Sequence, residues 1–404
     1  MTPRVLIVGG GVNQLELVRR AKQRGCWVAV SDINENPPCK AEADGFYQID
    51  TTDKAETYRA AQSAHITAVV TDQSDVAVPT AAYIAEQLGL PGIGFETSMR
   101  FTNKHLMRQA VALSRPDLLP DSRLFESETE LLNNLGSPSV NHQKLIVKPM
   151  NSQGSKGVTR LDSNNFREAT SLAFRESRGH GVLLEEFVEG DEFSVETFVV
   201  NGAVHNLAVT RKYHFPQNDC IDYRNTYLGD IPLDLERRLY SANAAVVALL
   251  GLKTGSTHGE YKVYGNRVAL MEIAARGGGG NISGKIIPFL TEFSPTDALL
   301  DFALGTRPKV KSDSYRSKYA VLRFFDSPPG RVESVSHELV PTDHLLHFEL
   351  NLKPRDVVQT VRSSRDRIGY FIVGGTSREQ VLLAEKSVLE AVSIKFSRDE
   401  IIDE

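Results

Sequence analysis

Short apolar segments alternate with helical segments through residues 1–96 of the 404-residue chain. Residues 4–8, 27–32 and 68–72 are predicted to be buried strands, and a segment with helical periodicity follows each of them. The first helix ends at Gly25, since glycine is favoured just past a helix C-terminus. Strands that alternate with helices at this spacing pair in parallel through right-handed crossovers. The segment therefore predicts an α/β domain built on a parallel sheet.

Candidate ligand contacts lie where these strands end, because ligands of parallel sheets bind at the carboxyl ends of the strands. The chain has Gly9-Gly10-Gly11, then Asp32, then Asp72 to Asp75 at those places, with Ser74 and Asp75 as the substrate candidates. An acid about 20 residues after a glycine run is typical of a dinucleotide site, but the third glycine of G-x-G-x-x-G is missing. A nicotinamide or flavin site and a plain tight turn or small-substrate contact therefore both stay open.

Composition narrows the class of protein. The chain is 41% hydrophobic and 24% charged with a formal charge of −5, which argues against nucleic acid as a partner. No apolar run approaches the roughly 18 residues of a membrane span, and the N-terminus has no signal-peptide pattern. Cys26, Cys39 and Cys220 are scattered, which argues against a disulfide framework or a structural zinc site. We expect a cytoplasmic protein without a membrane partner.

A glycine-rich loop follows the apolar segment at residues 145–147. Lys148 comes directly after that segment, and residues 151–157 read Asn-Ser-Gln-Gly-Ser-Lys-Gly. Backbone N–H groups and short hydroxyls in such a loop can cradle phosphate oxygens. The loop is not a Walker A motif, and an ordinary flexible hairpin is the alternative.

A single helix predicted over residues 97–113 adds Lys104 and Arg108 on one face.

An acid and a base share one face of a later strand. Glu272 and Arg276 are four residues apart, and in a strand alternate residues point the same way. Four glycines follow, at residues 277–280. A carboxylate and a guanidinium beside flexible backbone suit a site for a metal and a phosphate. A salt-bridged strand that ends in a loop is the other interpretation.

The turn before this strand decides whether a second carboxylate joins the site. A two-residue loop at Gly265-Asn266 would put Glu260 and Glu272 on opposite faces of the hairpin. A three-residue loop, which adds Arg267, would place Glu260 directly opposite Glu272. Like charges in that position repel each other, and a divalent cation between them would reverse the sign. We therefore expect the three-residue loop.

Taken in order, these motifs resemble the ATP-grasp superfamily. The ordered set consists of Lys104, Lys148, the glycine loop, Glu185 to Val188, Glu192, Glu260, Glu272 and Arg276. The chain is most similar to the carboxylate–amine ligase branch, the amino acid ligases, whose members carry a His-x-Glu strand and a Glu-x-x-x-Arg-x-Gly-Gly strand. Here these are His258-Gly259-Glu260 and residues 272–279.

The resemblance implies an α/β fold in three parts, with α+β elements in the nucleotide-binding lobes. The parts are a Rossmann-like, parallel-sheet pre-ATP-grasp domain over residues 1–96, a two-lobed ATP-grasp domain over 97–306 with its small lobe at about 120–190, and a mixed C-terminal extension over 307–404.

The resemblance also implies a set of nucleotide-binding residues. They are Lys104 and Lys148 at the phosphates of ATP, Ser152, Gly154, Ser155 and Gly157 in a lid over them, Glu185, Glu186, Phe187 and Val188 at adenine, and Glu192 at the ribose. Lysine suits phosphate as a compact point charge, and a lid shields a reactive intermediate from water.

Metal and catalytic roles follow in the same way. Glu260 and Glu272 would hold Mg²⁺, or Mn²⁺ in its place, while Arg276 and Lys148 would stabilise the charge of the transferred group. Many family members have Asn two residues after the second metal-binding Glu, where this chain has Ala274. That alanine leaves the number of ions open, and Asn281 is the alternative ligand. Substrate contacts are expected at Ser74, Asp75, Gly278 and Gly279.

The implied activity is ATP-dependent ligation. A small-molecule carboxylate would be activated as an acyl phosphate and joined to an amine, with release of ADP and phosphate. A bicarbonate-dependent carboxylase, a nucleotide-binding protein without catalysis and the dinucleotide enzyme are the alternatives. A homodimer is the default expectation for the assembly, since dimers are the commonest oligomers.

Overall fold

The computed structural model describes residues 2–137, 140–151, 154–310, 317–326, 328–338 and 342–397. The chain folds into two compact units, each built from three segments. The first unit contains Met1–Leu119, Ser194–Val209 and Leu233–Tyr315, and the second contains Pro120–Phe193, Thr210–Pro232 and Arg316–Glu404. The three-part division at residues 96 and 306 stays a prediction.

The first unit begins with the expected parallel sheet. Its strands are β1 Arg4–Val8, β2 Trp27–Asp32, β3 Gly45–Gln48 and β4 Ala68–Val70, in the order β3-β2-β1-β4. The helices that connect or follow them are α1 Leu15–Gln23, α2 Lys54–Ser63 and α3 Val78–Gln87. Apolar clusters cover both faces of the sheet, as a parallel sheet requires. The predicted α/β fold class is confirmed.

The helix predicted over residues 97–113 is two helices, α4 Phe95–Thr102 and α5 Lys104–Ala112. Asn103 between them has an extended backbone, and its side chain accepts the N–H of Leu106. Asparagine is a strong N-cap residue because this hydrogen bond satisfies a donor that the helix cannot. The prediction of one helix was therefore wrong, and Lys104 is the first residue of a new helix.

The second unit begins with a four-stranded antiparallel sheet. Its strands are β5 Ser122–Phe125, β6 Leu145–Pro149, β7 Thr159–Arg160 and β8 Val182–Glu186, in the order β5-β8-β6-β7. Helices α6 Glu128–Leu135 and α7 Phe166–Ser177 cover one face with a buried apolar cluster. The predicted strand at residues 145–147 is the centre of β6.

The middle of the chain supplies long strands. They are β9 Asp191–Val200, β10 Ala203–Phe215, β11 Asn218–Tyr227, β12 Gly255–Tyr264 and β13 Arg267–Ala274, with α8 Leu233–Leu250 before β12. The β9–β10 turn is Asn201-Gly202, and both residues have positive φ, 53° and 82°. This is the tight turn that Asn-Gly favours. A π-helical turn Ile282–Ile286, then α9 Ile287–Thr291 and α10 Pro295–Ala303, complete the first unit.

The C-terminal part of the second unit is mixed, as expected. It contains β14 Tyr319–Phe324, β15 Gly330–His337, β16 Leu345–Leu350, β17 Val357–Val358, β18 Gly369–Gly375, α11 Arg378–Ala391 and β19 Val392–Phe396. Strands β11, β14, β18 and β16 pair antiparallel in that order, and β17, β15 and β19 form a smaller sheet. Helix α11 packs its apolar face against buried apolar side chains of β14 and β18. In the described ranges, no helix is long and apolar enough to cross a membrane.

Candidate functional site

The two predicted metal carboxylates face each other across the β12–β13 hairpin. Tyr264 pairs with Arg267, so the turn has two residues and the expected three-residue loop was wrong. A register shift between Glu260 and Tyr261 then adds one residue to β13, and Glu260 pairs directly with Glu272. A β-bulge thus supplies the extra residue that the sequence analysis had placed in the turn. The predicted pairing of the two carboxylates is confirmed.

Each of these carboxylates has a cationic neighbour. Lys104 Nζ lies 2.8 Å from Glu272 Oε1, and the lysine side chain is only 4% exposed. His258 Nε2 lies 3.3 Å from Glu260 Oε1. Facing carboxylates repel each other, and these two partners offset that repulsion within the first unit. The structure therefore places Lys104 beside the pair of Glu260 and Glu272, and its predicted role at the phosphates stays a prediction.

His258 bridges two carboxylates. Its Nδ1 makes a short hydrogen bond with Glu196 Oε1 on β9, and both side chains are buried. Burial would lower the pKa of His258, but the charge and hydrogen bond of Glu196, with a smaller contribution from Glu260, raise it to about 9. The imidazole is therefore a cation at neutral pH. Glu196 was not identified from the sequence, although its position as the one charged residue of the segment 193–200 was a signal that could have found it.

Arg276 and Asp75 form a buried two-point ion pair. Arg276 Nε and Nη2 donate to Asp75 Oδ1 and Oδ2 at 2.9 and 2.8 Å. Burial would raise the pKa of Asp75, but the charge and hydrogen bond of Arg276, together with Lys104 and His258, lower it. The predicted substrate residue Asp75 and the predicted catalytic Arg276 are thus partners of each other.

The glycine run is fastened to acidic side chains. Asp72 accepts the N–H of Gly277 at 2.8 Å, and Glu196 accepts the N–H of Gly278 at 3.2 Å. A Cβ on Gly277 would lie 2.3 Å from Ser283 Cβ, and one on Gly278 would lie 2.9 Å from Glu196 Oε1. A Cβ on Gly279 would have no other atom within 4 Å. Close packing explains the first two glycines, and open space surrounds Gly279.

Two weaker candidates lie beside this run. Ser74 precedes a short 3-10 helix and has an extended backbone without a side-chain cap. Asn281 is buried in the left-handed region, with φ 60°, and its N–H donates to Gln73 Oε1 at 3.3 Å. Their roles, at the substrate and at the metal, stay predictions.

The donors present fit a magnesium ion that also binds phosphate. In the described part of the chain, no three His, Cys, Asp or Glu side chains converge as a complete metal site. Mg²⁺ in nucleotide-dependent enzymes is usually held by one or two carboxylates, with phosphate oxygens and water as its other ligands. The paired oxygens of Glu260 and Glu272 match that donor set.

Lys148 and Glu185 pair inside the second unit. Their side chains lie on one face of the β6–β8 ladder, and Lys148 Nζ is 2.7 Å from Glu185 Oε2. Both are buried, and the Glu185 side chain is fully enclosed. The lysine predicted to bind phosphate is therefore paired with a buried acid in this structure.

The hinge after β8 leaves one amide for a ligand. The N–H groups of Glu186 and Phe187 donate to the carbonyls of Asp121 and Lys144 at 2.8 and 2.7 Å. Among the described residues, the N–H of Val188 donates to no protein acceptor. This arrangement fits the predicted adenine hinge.

Glu192 lies in a cluster of charged side chains, of which only Glu192 itself was predicted from the sequence. Lys212 Nζ and His214 Nε2 on β10 lie 2.9 and 3.2 Å from its carboxylate. Asp222 on β11 is 4.0 Å from Lys212 and accepts a hydrogen bond from Arg367. Basic residues at alternate positions of a strand share a face, so Lys212 and His214 were visible as a pattern.

The glycine loop is attached within the second unit. Ser155 Oγ donates to the carbonyl of Cys220 at 2.8 Å, and the carbonyl of Gly154 accepts the N–H of Ser364 at 3.0 Å. Gly157 has φ 72°, and a Cβ there would lie 2.9 Å from Pro149 Cγ. Ser152 lies outside the described residues.

Asp32 is the candidate ribose-binding acid of a dinucleotide site. Its carboxylate is hydrogen-bonded to the loops that follow β1 and β2. Its carboxylate accepts the N–H of Gly10 at 2.8 Å and both the N–H and the side-chain amide of Asn34 at 2.9 Å. These bonds close the turn after β1, which supports the tight-turn interpretation over a nicotinamide or flavin site.

Two family matches agree with this geometry. Residues 142–285 match the ATP-grasp domain. This segment of the chain is therefore an ATP-grasp domain. Residues 323–397 match the L-amino acid ligase C-terminal domain 2. The ATP-grasp match contains most of the nucleotide and metal candidates described above, from Lys148 to Asn281.

Characterised relatives come from two enzyme groups. Alanine–anticapsin ligase of Bacillus subtilis is 24% identical over 243 residues, which cover 54% of this chain and 50% of that enzyme. The chain therefore spans about half the length of that ligase. A formate-dependent phosphoribosylglycinamide formyltransferase of Prochlorococcus marinus is 27% identical over 286 residues, which cover 68% of this chain and 69% of that enzyme.

Solved structures share the whole fold. An L-amino acid ligase from Bacillus licheniformis superposes with a TM-score of 0.81 at 19% identity, covering 98% of this chain and 99% of that one. A phosphoribosylglycinamide synthetase from Anaerococcus prevotii gives a TM-score of 0.76 at 18% identity, covering 98% and 100%. The chain thus has the fold of those enzymes.

Proposed function

We propose that this protein is an ATP-dependent ligase that activates a small carboxylate as an acyl phosphate and joins it to an amine. The observation that carries the proposal is the direct pairing of Glu260 with Glu272, with Arg276 further along the same chain segment, inside an ATP-grasp match. This arrangement supplies hard oxygen ligands and a fixed guanidinium for phosphoryl transfer.

The metal in this proposal is Mg²⁺, with Mn²⁺ as a substitute, held by Glu260 and Glu272. When bound, it neutralises phosphate charge and polarises the phosphorus that is attacked. Lys104 and His258, which neutralise the two glutamates in this structure, stay beside them as cations. Asn281 is a further oxygen donor, and Ala274 contributes none.

The nucleotide in this proposal is ATP. In the second unit, the free N–H of Val188 suits the acceptor nitrogen of adenine, and Glu192 suits the ribose hydroxyls. Lys148 and Lys212 are the lysines proposed for the phosphates, and each lies beside a carboxylate, Glu185 at 2.7 Å and Glu192 at 2.9 Å.

The reaction is two displacements. An oxygen of the substrate carboxylate attacks the γ-phosphorus, the bond to the β,γ-bridging oxygen breaks, and ADP leaves. The amine nitrogen then attacks the acyl carbon, loses a proton, and expels phosphate with the electrons of the C–O bond. Positioning and charge stabilisation are the protein's main contributions to such transfers.

The relatives support this reaction class without naming the substrates. One relative is a ligase of alanine and anticapsin, and another is a formate-dependent formyltransferase. The specific carboxylate and amine of this chain depend on loop side chains around Gly279, where the structure has space.

The test is ADP release from the full chain with ATP and Mg²⁺ across a matrix of amino acids and small carboxylic acids. Turnover that requires both a carboxylate and an amine supports the ligase, and stimulation by bicarbonate alone would replace it with a carboxylase. Glu272→Gln should abolish turnover, and Glu96→Gln, an exposed glutamate of the same unit, is the control. If Glu272→Gln only weakens ATP binding in a protein that never turns over, the protein is a nucleotide binder.

A further inference from the structure

The five N–H donors of Arg276 are unequally occupied. Nε and Nη2 bind Asp75, and Nη1 donates to the carbonyl of Gly277 at 3.0 Å. Among the residues that the structure describes, the other N–H of each Nη nitrogen has no protein acceptor. Because the side-on fork of Nε and Nη2 is taken, the free N–H of Nη2 lies on the end-on edge that it shares with Nη1.

Asp75 is placed so that it can fix this orientation. Both oxygens of the carboxylate are used, which is the strongest and most directional arrangement of an arginine with an acid. The two side chains are 15% and 16% exposed, so water screens the pair little. A two-point contact fixes the plane of the guanidinium as well as its position.

The backbone beside the guanidinium is fixed independently. Asp72, three residues before Asp75, accepts the N–H of Gly277 at 2.8 Å and the hydroxyl hydrogen of Ser283 at 3.0 Å. The short segment between Asp72 and Asp75 thus binds both the side chain of Arg276 and the residue that follows it. Rotation of the Arg276 side chain would break its bonds to Asp75 and to the carbonyl of Gly277, while Asp72 would still hold the N–H of Gly277.

The charges around Arg276 belong to the proposed metal pair. Its burial would lower the pKa of Arg276, but Asp75 first, and then Glu260 and Glu272, raise it. The guanidinium therefore lies in the field of both glutamates. An anion bound near them would meet the free N–H of Nη2 on a permanent cation.

We propose that Asp75 is a positioning residue that binds the side-on edge of Arg276, so that the end-on edge faces an anionic oxygen of the substrate carboxylate or the transferred phosphoryl group. The inference rests on the proposed ligase function and adds a residue from the N-terminal domain to it. Arginine suits this role because its planar fork holds its donors in fixed directions, whereas the three donors of a lysine rotate freely.

The decisive measurement is steady-state ADP release by Asp75→Asn, Arg276→Lys and the double variant. An amide offers Arg276 one acceptor instead of two, so we expect kcat to fall by about 100-fold, the effect of a misplaced catalytic group. KM for ATP should stay within about twofold, since positioning acts on the transition state. In the Arg276→Lys background, Asp75→Asn should cause little further loss, because Asp75 acts through Arg276.

Asp297→Asn is the matched control. Asp297 forms an ion pair with Arg24 in the same unit, with 2.8 Å between Asp297 Oδ1 and Arg24 Nη2. We expect its kcat to equal that of the wild type, with a fall in Tm similar to that of Asp75→Asn. Asp75→Glu, which keeps both acceptor oxygens, should recover part of the lost kcat. If kcat of Asp75→Asn stays within twofold of the wild type, or if the two single losses multiply in the double variant, the proposal is overturned.

A second readout does not depend on turnover. Phenylglyoxal modifies arginine, and mass spectrometry of the full chain measures the rate at Arg276. Release from Asp75 should speed this labelling in Asp75→Asn, while Asp297→Asn should leave it unchanged. If the wild-type protein releases ADP without needing any carboxylate–amine pair, the proposed ligase function is refuted. The labelling rates then test the contact between Asp75 and Arg276 independently of activity. Equal rates in the wild type and Asp75→Asn would refute the positioning role of Asp75.

Discussion

Glu260 pairs with Glu272 across a hairpin whose turn contains only two residues, because a β-bulge beside Tyr261 restores the alignment that the turn alone would destroy. The two carboxylates meet although each belongs to a different strand and both carry the same charge. Lys104 and His258 offset that charge from opposite sides of the pair. The two carboxylates of the hairpin thus repel each other, and a bound cation would remove that repulsion.

The two glutamates should differ in their effect on stability. Glu272→Gln replaces the charged 2.8 Å partner of the buried Lys104 with a neutral amide, and we expect a loss of about 1–3 kcal/mol in the free energy of unfolding. Glu260→Gln removes one facing charge while His258 keeps Glu196, so its loss should stay within about 0.5 kcal/mol. Urea unfolding in EDTA measures both. Both variants should also lose the rise in Tm that Mg²⁺ with ADP gives the wild type. Equal losses in EDTA would show that Lys104 is not held by Glu272.

The parts of this site that depend on local sequence patterns could be predicted from the sequence. The β12–β13 pairing follows from alternation along two neighbouring strands, and the parallel sheet follows from apolar segments spaced by helices. The bulge was missed because it depends on packing along the ladder, which a two-residue turn does not reveal. The break at Asn103 was missed although asparagine before Lys104 was a visible N-cap signal.

Contacts between distant segments could not be predicted. Asp75 and Arg276 are 201 positions apart, and no periodicity connects them. Glu196 and His258 meet because β9 lies beside β12, which is a property of sheet order. The sequence therefore identified single residues with suitable chemistry, while the fold determined which of them are partners.

Asp72 gives a pH dependence with a defined sign. Burial raises its pKa above the ordinary 3.8, and the hydrogen bonds from Gly277, Ser283 and Gln73 oppose that shift only in part. An acid whose pKa is raised on folding stabilises the protein below its unfolded pKa, and this contribution is lost as the pH rises through the folded pKa.

Asp72→Asn should therefore become more favourable relative to the wild type as the pH rises from 4 to 7. Chemical denaturation of both proteins across this range measures the difference. The variant keeps an acceptor for the N–H of Gly277. Asp44→Asn is the control: the hydrogen bond of Lys22 lowers the pKa of Asp44 below 3.8, so its difference from the wild type should stay nearly constant from pH 4 to 7. A difference that shrinks with rising pH would contradict a raised pKa for Asp72.

The C-terminal helix α11 is attached to β11 by a buried ion pair. Arg224 donates from Nε and Nη2 to both oxygens of Glu385 at 2.6 and 2.7 Å. Glu385→Gln leaves a buried guanidinium with one weaker acceptor, so we expect a loss of about 2–3 kcal/mol in unfolding free energy. Glu390→Gln, at an exposed pair on the same helix, should change it by less than about 0.5 kcal/mol. Thermal and urea unfolding check both, and equal effects would contradict the importance of the buried pair.

The glycine run offers a contrast between two neighbouring positions. A Cβ on Gly277 would overlap Ser283, so Gly277→Ala must move the segment that Asp72 holds, and we expect a loss of about 1–3 kcal/mol in stability. Gly279 has open space around its Cβ position and no positive φ. Gly279→Ala should leave stability unchanged or raise it by about 0.4–1 kcal/mol, because alanine reduces the freedom of the unfolded chain.

Activity separates packing from substrate contact at the same two positions. If the space at Gly279 receives substrate, Gly279→Ala should raise KM for the carboxylate or the amine while the protein stays fully folded. Gly277→Ala should instead lower kcat, since it displaces the backbone next to Arg276. An alanine at 279 that changes neither KM nor kcat would place the substrate elsewhere, and the run would then serve only to let Asp72 and Glu196 approach the main chain.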